Sequence, residues 1–191
     1  MKSTPARKPE NDILLAPGNA ALILIDYQPP QVSTVESIDR QKLINNVVAL
    51  AKTAKLFDLP IILSTVNVSN GVNEDTIPQL ADVLKGVKPV DRTSINSWED
   101  EEFLAAVKAT GRKKLIMGAL WTEACLLFPT LDALSEGYEV YPVLTPSVAL
   151  HRNRIAPRLS AWFRLGRGRQ RGTRFTVNCS ATGLALRPFR V

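Results

Sequence analysis

The feature that most constrains this chain is a series of five short apolar runs set between segments of helical period. Ala20 to Ile25 is six uninterrupted apolar residues ending at Asp26. It is too short for a buried helix and reads as a strand covered on both faces. Ile38 to Phe57 follows with helical spacing (Leu43, Ile44, Val47, Val48, Leu50, Ala51, Ala54) and is stopped by Asp58-Leu59-Pro60. The pattern then repeats. Strands are expected at 61–64, 87–90, 114–119 and 138–143. Helices are expected at 77–84, 98–110 and 122–136, with Gly111 and Gly137 as stops. Alternation of this kind implies right-handed βαβ units and an α/β fold, a mainly parallel sheet with helices on both faces.

Composition divides the chain. Residues 1–150 carry 14 Lys+Arg against 18 Asp+Glu, a balance of −4, whereas 151–191 hold ten Arg, no Lys and no acid. The expected organisation is a loose arm over 1–18, one α/β core over 19–143, and a basic tail over 144–191 in which periodicity fails. Arg164 to Arg174 (RLGRGRQRGTR) is low-complexity, and 151–191 are expected to be largely irregular. No apolar run reaches the roughly 20 residues of a membrane span, and Met1 to Asn11 lacks the apolar core of a secretory signal. Two widely spaced cysteines, Cys125 and Cys179, fit a reducing, cytoplasmic setting. No Gly-rich phosphate loop and no His/Asp cluster suggests a cofactor or metal.

Sites in open parallel sheets collect beyond the carboxyl ends of the strands. Three polar residues fall there: Asp26 after strand one, Arg92 after strand three, and Cys125 in the first turn of the helix after strand four. A helix N-terminus lowers a thiol pKa and offers N–H groups to an oxyanion. Asp26 can serve as general base. Arg92 can stabilise a thiolate or clamp a substrate carboxylate, but its pKa is too high for proton transfer. From position alone, the plainer roles compete: a buried structural thiol for Cys125, a turn or cap residue for Asp26, and a surface ion pair with Asp91 or Glu99 for Arg92. Asn96 and Trp98 fit a pocket wall, although Trp98 suits a core equally well. His151, the only histidine, lies in the tail and is discounted.

The segments LILIDYQ (22–28), DRTSINSWED (91–100) and MGALWTEACLLFPTLDALSEGYEVYPV (117–143) resemble the isochorismatase-like cysteine hydrolases, in particular the YcaC-like branch. The resemblance implies a three-layer α/β/α sandwich with a Rossmann-like sheet. It implies Asp26 as base, Cys125 as nucleophile and Arg92 as the cationic member where many relatives carry Lys. It further implies a cis peptide at Leu120–Trp121, oxyanion N–H groups from Trp121 and Cys125, and a pocket built with Gln28, Asn96, Trp98, Trp121 and Glu123. Nicotinamidase relatives bind metal through an Asp/His cluster after strand two. Residues 65–75 contain no His, so no metal is expected. The activity implied is hydrolysis of a small amide or related C–N bond through a Cys thioester, by a homo-oligomer.

The resemblance ends near Val143. Relatives continue with a Ser/Gly-rich loop, a helix and a last strand, which this chain replaces. Allowed GC-rich codons for 177–184, read two bases later, spell ELQRDWA. The stretches 159–167 and 144–153 likewise give ERMVQAGA and DSVGGTSPE, all similar to family sequence. A frame slip near Val143–Leu144 therefore explains the arginines and makes nucleic-acid binding by the tail unlikely. It also leaves the final helix and strand missing or replaced. That opens a second reading, a catalytically silent binding or assembly protein on the same fold.

Overall fold

The structure, a computed structural model, describes residues 14–144 and the backbone of 175–180 and 183–188. Five strands, β1 (Ala20–Ile25), β2 (Ile61–Val66), β3 (Val90–Arg92), β4 (Lys114–Ala119) and β5 (Glu139–Pro142), form one sheet in the order β3-β2-β1-β4-β5. All four pairings are parallel. β1 is central, paired through Leu22↔Ile61 on one side and Leu22↔Ile116 on the other. Every residue of β1 is fully buried, as its unbroken apolar run requires.

Helices cover both faces. α1 (Pro29–Ser33) is a short turn that sequence reading left out; it opens on two prolines, whose fixed φ suits the first helical positions. α2 (Arg40–Leu56) is capped by the Asp39 carboxylate accepting from Lys42 N at 2.8 Å. With α3 (Pro78–Val83) it buries Leu43, Val47, Leu50 and Leu80 against Leu22, Leu24 and Leu63. α4 (Glu101–Ala109) and α5 (Leu127–Ser135) bury Phe103, Val107 and Ala133 on the opposite face, against Ile23, Ile25 and Met117. Alternate β1 residues thus feed two cores, which makes three layers. No helix among the described residues is long and apolar enough to cross a membrane.

Three expectations are corrected. The third strand is Val90–Arg92 rather than 87–90, because Ser64, Thr65 and Val66 extend β2 and pair with it. The helix after β4 is not continuous: a π turn, Thr122–Leu126, precedes α5. And 175–180 and 183–188 are not irregular: β6 (Phe175–Ser180) and β7 (Gly183–Pro188) pair antiparallel in a two-stranded sheet of their own. Among the described residues the main sheet stops at β5. The remainder of the expected tail, with His151, and most of the N-terminal arm lie outside the described residues.

Candidate active site

The strand order reverses between β1 and β4, so the chain opens a crevice beyond their carboxyl ends. Asp26 stands at its floor. It is nearly fully buried and adopts φ +63°, a left-handed conformation that Asp tolerates better than most residues. Its N–H is held by Ser64 O at 3.0 Å, while its own carbonyl accepts from Gln28 N at 2.8 Å. This turn swings the carboxylate off the strand axis and into the crevice.

Arg92 meets it there. Nη1 donates to Asp26 Oδ1 at 2.7 Å and Nη2 to Oδ2 at 2.8 Å, a bidentate pair with both side chains almost wholly buried. The guanidinium is fixed further by Ser64 Oγ (3.0 Å), Thr65 O (3.0 Å) and Ile95 O (3.3 Å). Burial opposes its charge, but the Asp26 bonds and charge prevail, and its pKa is raised. The alternative of a surface ion pair fails. Asp91 turns the other way and binds Thr65 Oγ1, Val68 N and Ser69 N, pinning the loop after β2. The clamp for a substrate carboxylate also fails, because Asp26 already occupies both η nitrogens.

Cys125 joins the pair from the π turn. It is 5% exposed, and its thiol lies within hydrogen-bonding reach of the Asp26 carboxylate and of the Trp121 backbone N–H. Sequence reading expects a lowered thiol pKa at this helix start, and the site reverses it. Burial first, then the Asp26 charge and its hydrogen bond, push Cys125 up to about 12; the Trp121 N–H and Arg92 pull the other way without prevailing. The resting site therefore holds a neutral thiol beside a closed ion pair.

A pH dependence follows. In a Cys179→Ala background, alkylation of Cys125 by iodoacetamide is expected to climb about tenfold per pH unit from 7 to 10, since only thiolate reacts. A plateau by pH 9 in the stopped-flow rates contradicts this. The folded chain also keeps a proton that the unfolded chain releases above its ordinary value of 9.0. Stability contributed by this group thus falls as pH rises from 9 toward 12.

The other expected site residues divide. The Leu120–Trp121 peptide is cis, Leu120 is fully buried, and Trp121 is half-buried with Nε1 donating to Thr34 Oγ1 at 2.8 Å. Glu123 is exposed beside them in the π turn. Gln28, Asn96 and Trp98 are buried and bonded within the protein. Gln28 is wholly buried, and its amide binds Val66 N, Val66 O and Glu74 O, fastening the loop after β2 to the turn after β1. Asn96 caps Trp98 N and donates to Asp132 at 2.7 Å. Trp98 packs edge-on to Phe103 and Tyr138, with Nε1 on Glu136 at 2.8 Å. The polar side-chain atoms of all three thus have partners within the protein. Sequence reading missed Ser64 and Thr65. The available signal is two polar residues at the end of an otherwise apolar buried strand. Among the described residues no group of three His, Cys, Asp or Glu could hold a metal.

The isochorismatase domain model matches residues 20–144, a span that contains all three converging residues. The chain belongs to the isochorismatase family. It is 40% identical over 169 residues to the probable hydrolase YcaC of Escherichia coli strain K12, covering 87% of this chain and 79% of that protein. The crystal structure of the Escherichia coli YcaC gene product, an octameric hydrolase of unknown specificity, matches with TM-score 0.72 and 39% identity over 84% of this chain and 76% of that one. YcaC from Pseudomonas aeruginosa, solved with hexane-2,5-diol and covalent acrylamide, matches with TM-score 0.71 and 36% identity over 80% of each chain. These place the chain in the YcaC-like branch, as an isochorismatase-family hydrolase. The nicotinamidase of Bacillus subtilis, at 13% identity and TM-score 0.61, shares the fold.

Proposed function

We propose that the chain is a cysteine hydrolase that cleaves a small amide or related C–N bond, with Cys125 as nucleophile, Asp26 as base and Arg92 as the fixed cation. One observation carries this reading: a single buried carboxylate bonded to a guanidinium, with a buried thiol close enough for both charges to act on it. Hydrophobic packing alone gives no reason to bury three such groups together.

With the thiol neutral at rest, its proton passes to Asp26 as sulfur attacks the carbonyl carbon, so no free thiolate accumulates. The carbonyl π pair moves to oxygen, where the N–H groups of Trp121 and Cys125 receive it. The C–N bond then breaks, the amine leaves with the proton from Asp26, and a thioester remains. Water, deprotonated by Asp26, cleaves the thioester and returns the thiol. Arg92 stays charged throughout and keeps the carboxylate oriented. The octameric relative supports a homo-oligomer.

The relative with covalent acrylamide suggests the first test. In a Cys179→Ala background incubated with acrylamide at pH 9, the chain is expected to gain one adduct, mapped by peptide mass spectrometry to Cys125. Cys125→Ala is expected to gain none there and to lose hydrolysis across a panel of small amides by about 10³-fold or more. Amide hydrolysis unchanged in Cys125→Ala overturns Cys125 as nucleophile, and no hydrolysis by the parent chain across the panel favours the catalytically silent reading of the family fold.

A further inference from the structure

Among the described residues the site has one cation, Arg92, and its η nitrogens are already paired, which leaves only the buried Nε without a partner. Both η nitrogens of Arg92 are held by Asp26, and Ser64, Thr65 and Ile95 take the remaining η directions. An arriving carboxylate or phosphate finds a neutral pair, not a positive charge. The loops around the crevice sharpen this. In the parallel sheet, the segments after β2, β3 and β4 all emerge at the carboxyl end, beside the site. Over 67–77, 93–100 and 120–126 they carry Glu74 and Asp75, Glu99 and Asp100, and Glu123, with no Lys, Arg or His. Four of these five are exposed, Asp100 being the exception. In the segment after β1, Glu36 and Asp39 are offset by Arg40 and Lys42 at the start of α2. A charge-paired floor beneath a rim on which acidic residues outnumber basic ones focuses a negative field outward.

We propose that the mouth of this site admits neutral or cationic carbonyl compounds and turns away anionic ones, so that its substrate is an uncharged or amine-bearing amide. The word substrate rests on the cysteine-hydrolase reading; the field does not. An acidic rim also favours departure of the carboxylate product over retention of it. The opposing charge in this chain is the ten arginines of 151–191, and the test retains them.

Trp121, half-buried beside Cys125, reports the field by fluorescence. In full-length Trp162→Phe, only Trp98 and Trp121 emit, and Trp98 is buried. Quenching by caesium and by iodide is measured at constant low ionic strength, where screening is least. Each constant is divided by that of N-acetyltryptophanamide. Caesium is expected to quench at least about twofold more than iodide. Glu123→Lys is expected to narrow the ratio. Iodide equal to or better than caesium overturns the proposal, whatever the chemistry of Cys125. In a second arm, Cys179→Ala is alkylated at pH 9 with iodoacetamide and with iodoacetate, each rate divided by that of N-acetylcysteine. The neutral reagent is expected to be favoured about tenfold or more at Cys125. Parity, or a preference for iodoacetate, overturns the proposal. If neither reagent labels Cys125, the hydrolase reading fails, and the quenching ratio alone still decides the field.

Discussion

Arg92→Met is expected to destabilise the fold by about 3–5 kcal/mol, measured by urea unfolding against the parent chain. The reason is asymmetry. As a pair, Asp26 and Arg92 add little net stability over a well-packed apolar substitute, because both were taken out of water. Alone, Asp26 is a buried carboxylate with no cation, 1% exposed and closed in by β1, β2 and β3. For a chain of this size the shift in Tm is on the order of 10 °C downward. The double variant Asp26→Asn/Arg92→Met is expected to recover most of the loss. If Arg92→Met costs no more than an ordinary surface change, about 0.5 kcal/mol, the ion pair is not buried as described.

Asp26→Asn is expected to move two rates in opposite directions. Amide hydrolysis falls about 10²–10⁴-fold, because the group that accepts the thiol proton and later returns it is gone. Alkylation of Cys125 by iodoacetamide at pH 8 rises, by about tenfold or more, because the charge that helps hold the thiol protonated is gone while Arg92 remains. Asparagine keeps the positive φ and nearly the same volume, so the turn survives. A thermal melt confirms that labelling is read on folded protein, since an unfolded thiol also reacts quickly. Both rates falling together assigns Asp26 a structural role instead.

How much of this was legible in the sequence depends on the kind of signal each residue gives. β1 and β4 were legible to the residue, β1 as six apolar residues in a row and β4 as a short apolar stretch after the helix stop at Gly111. β3 was not. Val87 to Val90 is as apolar as the true strand, and what fixes the register is β2 running on through Ser64 and Thr65 to pair with it. Asp26, Arg92 and Cys125 were legible by their places after strands. Their connection was not, because a bidentate pair formed across 66 residues leaves no local spacing. The sign of the Cys125 shift was misread for a physical reason. Position at a helix start argues for a low pKa, but burial and the facing carboxylate are properties of the folded crevice. Gln28, Asn96 and Trp98 belong to the same lesson. Their side chains suit a pocket, and only coordinates show that each has found a partner within the protein. In the tail, the arginine-rich composition hid two paired strands, one with alternating Phe175, Val177 and Cys179 and one with the short run Leu184 to Leu186.

The central claim is that Cys125 carries the acyl group in turnover, and it can be tested in one measurement. p-Nitrophenyl acetate is mixed with Cys179→Ala, the burst of p-nitrophenolate is counted, and the quenched protein is digested for mass spectrometry. A burst of about one per chain, with a hydroxylamine-labile acetyl group on the peptide containing Cys125 and absent from Cys125→Ala, is the result predicted. An acetyl group spread over lysines, with the burst unchanged in Cys125→Ala, contradicts it.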